Sequence, residues 1–101
     1  MLFRSKMTAY VIVDSKVTDP AKYEDYKKVV PSTLGRFGGR FLARGGAIVK
    51  LEGDWTPSRV VVIEFPSIEQ AKAWYQSTEY TGARRVRSGA AKLNMIVVEG
   101  A

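Results

Sequence analysis

A chain of 101 residues is one domain's worth of protein and too short for two. Its 46% hydrophobic and 26% charged content belongs to a folded chain, and no apolar run approaches the ~18 residues of a membrane span. With no cysteine and no histidine, disulfides, thiolate nucleophiles, Ser-His-Asp triads and His- or Cys-ligated metals are excluded, while a formal charge of +6 favours anionic partners.

The opening "MLFRSKM" has no apolar segment or small-residue cleavage site, so no signal peptide is expected and the cytoplasm is the expected location. Met7 is an alternative start, which makes residues 1–6 a short N-terminal extension of a domain spanning 7–100. "TAYVIVDSKV", residues 8–17, is β-branched and aromatic and predicts the first strand. Asp19 followed by Pro20 announces a helix: a carboxylate at the N-cap, and proline where its missing donor does no harm. Tyr23, Tyr26, Val30, Leu34 and Phe37 then recur at spacings of three and four, one apolar stripe, with a kink or break expected at Pro31.

Gly38-Gly39 follows the stripe and reads as a helix stop. Residues 40–53 predict one long strand bent or bulged at Gly45-Gly46, "GDWTPS" a turn, and "RVVVIEF", residues 59–65, a buried strand. Ser67 with Gln70 has the capping-box spacing and opens a short helix carrying Ala71, Trp74 and Tyr75. Ser77 starts a further helical stretch with Tyr80, Ala83 and Val86, ended by Gly89, and residues 93–100 form the last strand. The order is β-α-β-β-α-β: an α+β, ferredoxin-like fold with a four-stranded antiparallel sheet and the helices on one face.

Such a sheet normally wets its other face, and its strands then alternate apolar and polar. These strands do not: Tyr10 and Ile12 oppose Ala9, Val11 and Val13; Val60, Val62 and Glu64 oppose Val61, Ile63 and Phe65; and Met95 and Val97 oppose Ile96 and Val98, so both faces are largely apolar. Leaving about seven such side chains in water forgoes roughly 10 kcal/mol, comparable to a domain's whole net stability. The economical solution is a homodimer with two sheets face to face, a dimeric α+β barrel, in preference to a larger hetero-assembly or a lipid-like ligand.

The segments "GGRFLARGG", "LEGDW", "RVVVIEFPS", "AWYQSTEY" and "ARRVR", in this order, resemble the family called domain of unknown function 1330, within the dimeric α+β barrel superfamily. The resemblance covers about residues 7–100. It implies the ferredoxin-like fold and supports the homodimer, and it brings no reaction with it.

Phosphate binding by the glycine pairs is disfavoured, because no Gly-Lys-Ser/Thr follows them and they precede strands. Nucleic acid is disfavoured as well: the third strand carries aliphatics where an RNA-binding sheet has stacking rings, leaving Arg84, Arg85 and Arg87 as a basic cluster that reads first as a solvated helix face. Tyr26 and Trp74 are either core or the apolar walls of a cleft between helices and sheet. Arg44 and Glu64 are charges in apolar strands, either a structural ion pair or the polar groups of that cleft, and they are the only catalytic candidates singled out. The first functional expectation is a cytoplasmic homodimer that binds a small organic molecule in that cleft, with cofactor-independent chemistry open to it. The second is a non-catalytic interaction or stress-related module. No cofactor, metal or membrane partner is expected.

Overall fold

A computed structural model describes residues 7–101; the expected extension over residues 1–6 lies outside the described residues. The sheet is built on β1 (Ala9–Val17), which pairs antiparallel along both edges. On one side lies β3 (Val60–Phe65), from Ala9 opposite Phe65 to Asp14 opposite Val60. On the other lies β4 (Ala91–Glu99), from Ala9 opposite Glu99 to Val17 opposite Ala91. A short β2 (Arg40–Arg44) completes the order β2-β3-β1-β4. This is the ferredoxin-like arrangement read from the sequence.

Three helices cover one face: α1 (Pro20–Leu34), α2 (Ile68–Gln76) and α3 (Thr78–Val86). Their starts follow the capping residues. Asp19 Oδ1 accepts from the Lys22 amide, Ser67 Oγ from the Gln70 amide and Ser77 Oγ from the Tyr80 amide, each relieving an open N–H of a first turn. Ser77 also ends α2, where its amide and hydroxyl both donate to the Trp74 carbonyl. One serine thus breaks the second helical segment in two. Among the described residues, no helix is long and apolar enough to cross a membrane.

The core is the helix-facing side of the sheet. Val11, Val13, Val61, Ile63 and Phe65 are buried against Tyr23, Tyr26, Val30, Leu34, Trp74, Tyr80 and Ala83. Because side chains alternate along a strand, their neighbours Tyr10, Ile12, Val60 and Val62 fall on the opposite, helix-free face, where they are only half-buried. Ile96 and Val98 share that face at 61% and 45% exposure. Both surfaces of the sheet are therefore largely apolar.

Two local expectations are corrected. The long strand over residues 40–53 ends at Arg44, and residues 45–59 form no strand. Gly45, at φ 72°, turns the chain out of the ladder just after its amide has bonded the Val60 carbonyl. β3 begins at Val60, so the neighbouring strand has ended where residues 46–53 would continue the ladder. They project as an arm with Ile48, Val49 and Leu51 exposed at 42%, 78% and 92%. The base of the arm is tied down by Asp14, whose carboxylate accepts from Trp55 Nε1 at 3.1 Å and from the Ser58 amide at 3.2 Å. The second correction is to the break, one of the two outcomes expected at Pro31: α1 runs through it to Leu34 as one helix and closes in a 3-10 turn, Gly35–Phe37.

Gly38, at φ 74°, closes the helical end, and Gly39 passes so near the core that a Cβ there would lie 2.7 Å from Phe65 Cε1 and 3.2 Å from Leu34 Cδ2. Nothing surrounds the corresponding position of Gly82 inside α3. Gly39→Ala should cost about 1–3 kcal/mol by overpacking. Gly82→Ala should stabilise by about 0.5–1 kcal/mol through helix propensity. Chemical denaturation of both variants checks the opposite signs.

Candidate functional site

The aromatic residues of the helices form a continuous series. Tyr23 and Tyr26 meet at 5.3 Å between ring centroids, Tyr26 and Tyr80 at 6.4 Å, Tyr80 and Trp74 at 4.1 Å, and Trp74 and Phe65 at 5.3 Å. Each polar tip is matched. The Tyr26 and Tyr80 hydroxyls are 2.7 Å apart, Trp74 Nε1 donates to Thr33 Oγ1, and the Tyr23 hydroxyl bonds Ser15 Oγ and receives Arg59 Nη1. The space left between these rings, Arg44 and the sheet is about 30 Å³. That is the share of one water. The cleft expected between Tyr26 and Trp74 is thus filled by the rings themselves.

Arg44 and Glu64 do not meet. Between Phe41 and Ala43 the pairing with β3 slips by one residue, so Phe41 lies opposite Ile63 and Arg44 opposite Val61, both on the core side. Arg40 lies opposite Glu64 on the open face, and the two form an ion pair at 2.6 Å. A bulge cannot be read from alternation, because one extra residue moves everything after it to the other face.

Arg44 has a different occupation. A proline at position 31 offers no N–H to the Lys27 carbonyl four residues earlier. That carbonyl accepts instead from Arg44 Nη2 at 2.6 Å, while the guanidinium rests 4.3 Å from the Phe41 ring centroid. The strand side chain replaces the missing helix donor, which explains why α1 continues past Pro31.

A larger cavity opens at the β4 edge of the sheet. It measures about 410 Å³ and lies between α2 and the core-facing side of β4, with Trp74, Tyr75 and Ala71 along the helix and Val11, Leu93, Met95 and Val97 along the sheet. Its polar lining is Lys72, Gln76 and Arg87, and at the strand edge it also meets Asn94 and Ile96, whose places in the alternation fall on the helix-free face. No carboxylate lines it. The Tyr75 ring is held by Arg84, whose Nη1 donates to the Tyr75 hydroxyl at 3.0 Å and whose guanidinium lies 4.5 Å from the ring centroid.

Arg87, just past α3, joins this cavity to the tyrosine pair: its guanidinium lies 5.4 Å from the Tyr26 ring centroid. Burial pulls its pKa down, but the facing Tyr80 and Tyr26 hydroxyls outweigh that and raise it, so the side chain is permanently charged. Burial first, and then Tyr80, push the Tyr26 hydroxyl far above the ordinary phenol value. Tyr26 is therefore a neutral hydrogen-bonding group and no proton acceptor at physiological pH. Among the described residues no carboxylate is within salt-bridge distance of Arg87 or Lys72, and the buried Arg87 Nε has no hydrogen-bond partner.

Sequence reasoning thus found Trp74, which lines both spaces, and missed Lys72 and Arg87. The one available signal was the basic run at residues 84–87. Only Arg85 of its three arginines is exposed, Arg84 and Arg87 being turned onto tyrosine rings.

The sequence matches the family described as domain of unknown function, DUF1330, over residues 8–101. No curated protein matches it. Several solved structures share the fold at low identity. A protein of unknown function from Rhodopseudomonas palustris is 18% identical, with a TM-score of 0.75 over 95% of this chain and 84% of its own. SnoaB, a cofactor-independent oxygenase from Streptomyces nogalater, is 11% identical, with a TM-score of 0.67 over 94% of both chains. A dimeric protein of unknown function with a ferredoxin-like fold from Bacteroides fragilis is 12% identical, with a TM-score of 0.64 over 95% of this chain and 99% of its own.

The role of Arg44 is open to a double-mutant cycle. Arg44→Ala should cost about 1–2 kcal/mol in the natural background, by leaving the Lys27 carbonyl without its charged donor. The cost should shrink by about 0.5 kcal/mol or more in Pro31→Ala, where the backbone N–H returns. Equal costs in the two backgrounds would break the link.

Proposed function

The chain belongs to the DUF1330 family, and from that premise we propose that it is a cytoplasmic homodimer which binds a small organic molecule in the cavity between α2 and β4. The single observation that carries the binding reading is that cavity: about 410 Å³, with its walls shared between apolar side chains and polar groups. This is the size typical of small-molecule sites. The space between Tyr26, Trp74 and Arg44 would need its rings to move before it took any ligand. On this reading Arg44, Glu64 and Tyr26 support the fold, and Trp74 is a wall of the site.

The chemistry of the lining favours holding over reacting. It has cations and amides but no carboxylate, and the chain has no histidine. A reaction here would have to draw its reactivity from the bound molecule, with Arg87 orienting it. Cofactor-independent chemistry of the kind named for SnoaB remains compatible with such a site, and a non-catalytic module is the alternative if no ligand enters.

The homodimer reading rests on residues 7–100 acting as one domain whose helix-free face is apolar. Ile96 and Val98 on the sheet, with half-buried Val62 and Ile12 beside them, and Val49 and Leu51 on the arm are left open to solvent among the described residues. A second copy offers the same two surfaces in return, as a twofold interface requires. The dimeric ferredoxin-like neighbour from Bacteroides fragilis supports the same assembly.

Two measurements test the reading. Sedimentation at micromolar concentration should show twice the 11.2 kDa chain mass, and Val98→Lys should return the single-chain mass with the fold intact; a wild-type particle of 11.2 kDa removes the dimer. For the cavity, a thermal-shift screen of small organic metabolites should raise the melting temperature with some compounds. Those shifts should vanish in Gln76→Trp, which places a large ring against the lining from an exposed helix position. Identical shifts in both proteins would move the binding elsewhere.

A further inference from the structure

We infer that the ligand of the α2–β4 cavity is an organic anion: a carboxylate, or a group of like charge, held by Arg87 and Lys72, on an unsaturated or aromatic body lying against Trp74 and Tyr75. This rests on the cavity reading above and names the ligand class for the same site.

The first observation is charge without compensation. Arg87 is half-buried yet faces only neutral hydroxyls, those of Tyr26 and Tyr80, and one of its donors is buried without a partner. Lys72 adds a second cation to the same lining, which has no negative group to offset either. Taking a guanidinium partly out of water without a counter-ion is unfavourable, and the protein accepts that cost where Arg87 reaches the largest cavity among those described. Arg36 and Arg40 each have a carboxylate, Glu79 and Glu64, and Arg44 has a backbone carbonyl. Arg84 shares the buried, unpartnered Nε and bonds only the Tyr75 hydroxyl, but it does not line the cavity, which leaves Arg87 as the half-buried cation that does.

The second observation is geometric. Arg87 lies over the Tyr26 ring, and Tyr26 is locked to Tyr80 by their 2.7 Å hydroxyl contact. The tyrosine pair therefore limits where the guanidinium can go, so its planar fork can meet a carboxylate in a set orientation. The ligand's body then faces the two aromatic walls, both themselves fixed: Trp74 by its indole bond to Thr33, and Tyr75 by Arg84. Flat, anionic molecules satisfy both halves of the site, whereas neutral ones leave Arg87 as uncompensated as before.

The test uses the full chain in a Trp55→Phe background, which leaves Trp74 as the only indole, and compares 2-naphthoate with its neutral isostere 2-naphthamide. Naphthoate should quench Trp74 emission saturably and at least about tenfold more tightly than the amide, the value of one charge-assisted contact. Lys72→Gln, an exposed helix position away from the tyrosine pair, should weaken naphthoate several-fold and leave the amide unchanged. Arg87→Met should abolish the preference for the anion, with circular dichroism confirming the fold. Equal binding of the two probes, or an unchanged preference in Lys72→Gln and in folded Arg87→Met, overturns the anion inference and leaves the cavity reading standing. Binding of neither probe at millimolar concentration removes the cavity reading itself.

Discussion

The arrangement of this protein depends on the contact between Trp74 and Tyr80, whose ring centroids are 4.1 Å apart. Trp74 is the last buried residue of α2 and Tyr80 the first of α3, and Ser77 between them ends one helix and caps the next. That serine sets the angle at which both rings enter the core. From the pair, contacts run one way through Tyr26 to α1 and the other way through Phe65 to β3. The helical layer and the sheet therefore share one aromatic seam. Its rings bury large apolar areas, and their polar atoms are answered by one another or by Thr33, Ser15 and Arg59.

The seam also decides where free volume lies. By filling the centre of the helix–sheet interface, it closes the cleft that the same aromatic residues suggest in the sequence. The free volume is displaced to the β4 edge, where α2 ends and α3 turns back toward the sheet. Arg87 emerges at that turn, and the tyrosine pair holds its cation toward the cavity. The feature that stabilises the core thus also sets where the Arg87 cation stands beside the cavity.

Arg44 and Glu64 illustrate how a local rule can mislead. Each is a charge in an apolar strand, and each has a use, but the uses are separate. Glu64 pairs with Arg40 on the open face, and Arg44 repairs the backbone of α1 at Pro31. A one-residue bulge near Leu42 divides them. The interruption was legible only as two glycines, and those lie downstream of it.

The sequence by itself determined the element order, the three helix starts at Asp19, Ser67 and Ser77, and the apolar character of both sheet faces. These follow from short-range chemistry: side-chain caps a few residues from their amides, and periodicities of two and 3.6. Only the tertiary structure decided that β2 stops at Arg44, that α1 passes through Pro31, and that Arg87 meets Lys72 in one cavity. Each of those outcomes depends on groups far apart in the chain, such as the Arg44 guanidinium and the Lys27 carbonyl, or Arg87 and Tyr26. The energy of bringing such groups together is set by packing in three dimensions, and residue spacing along the chain carries no record of it.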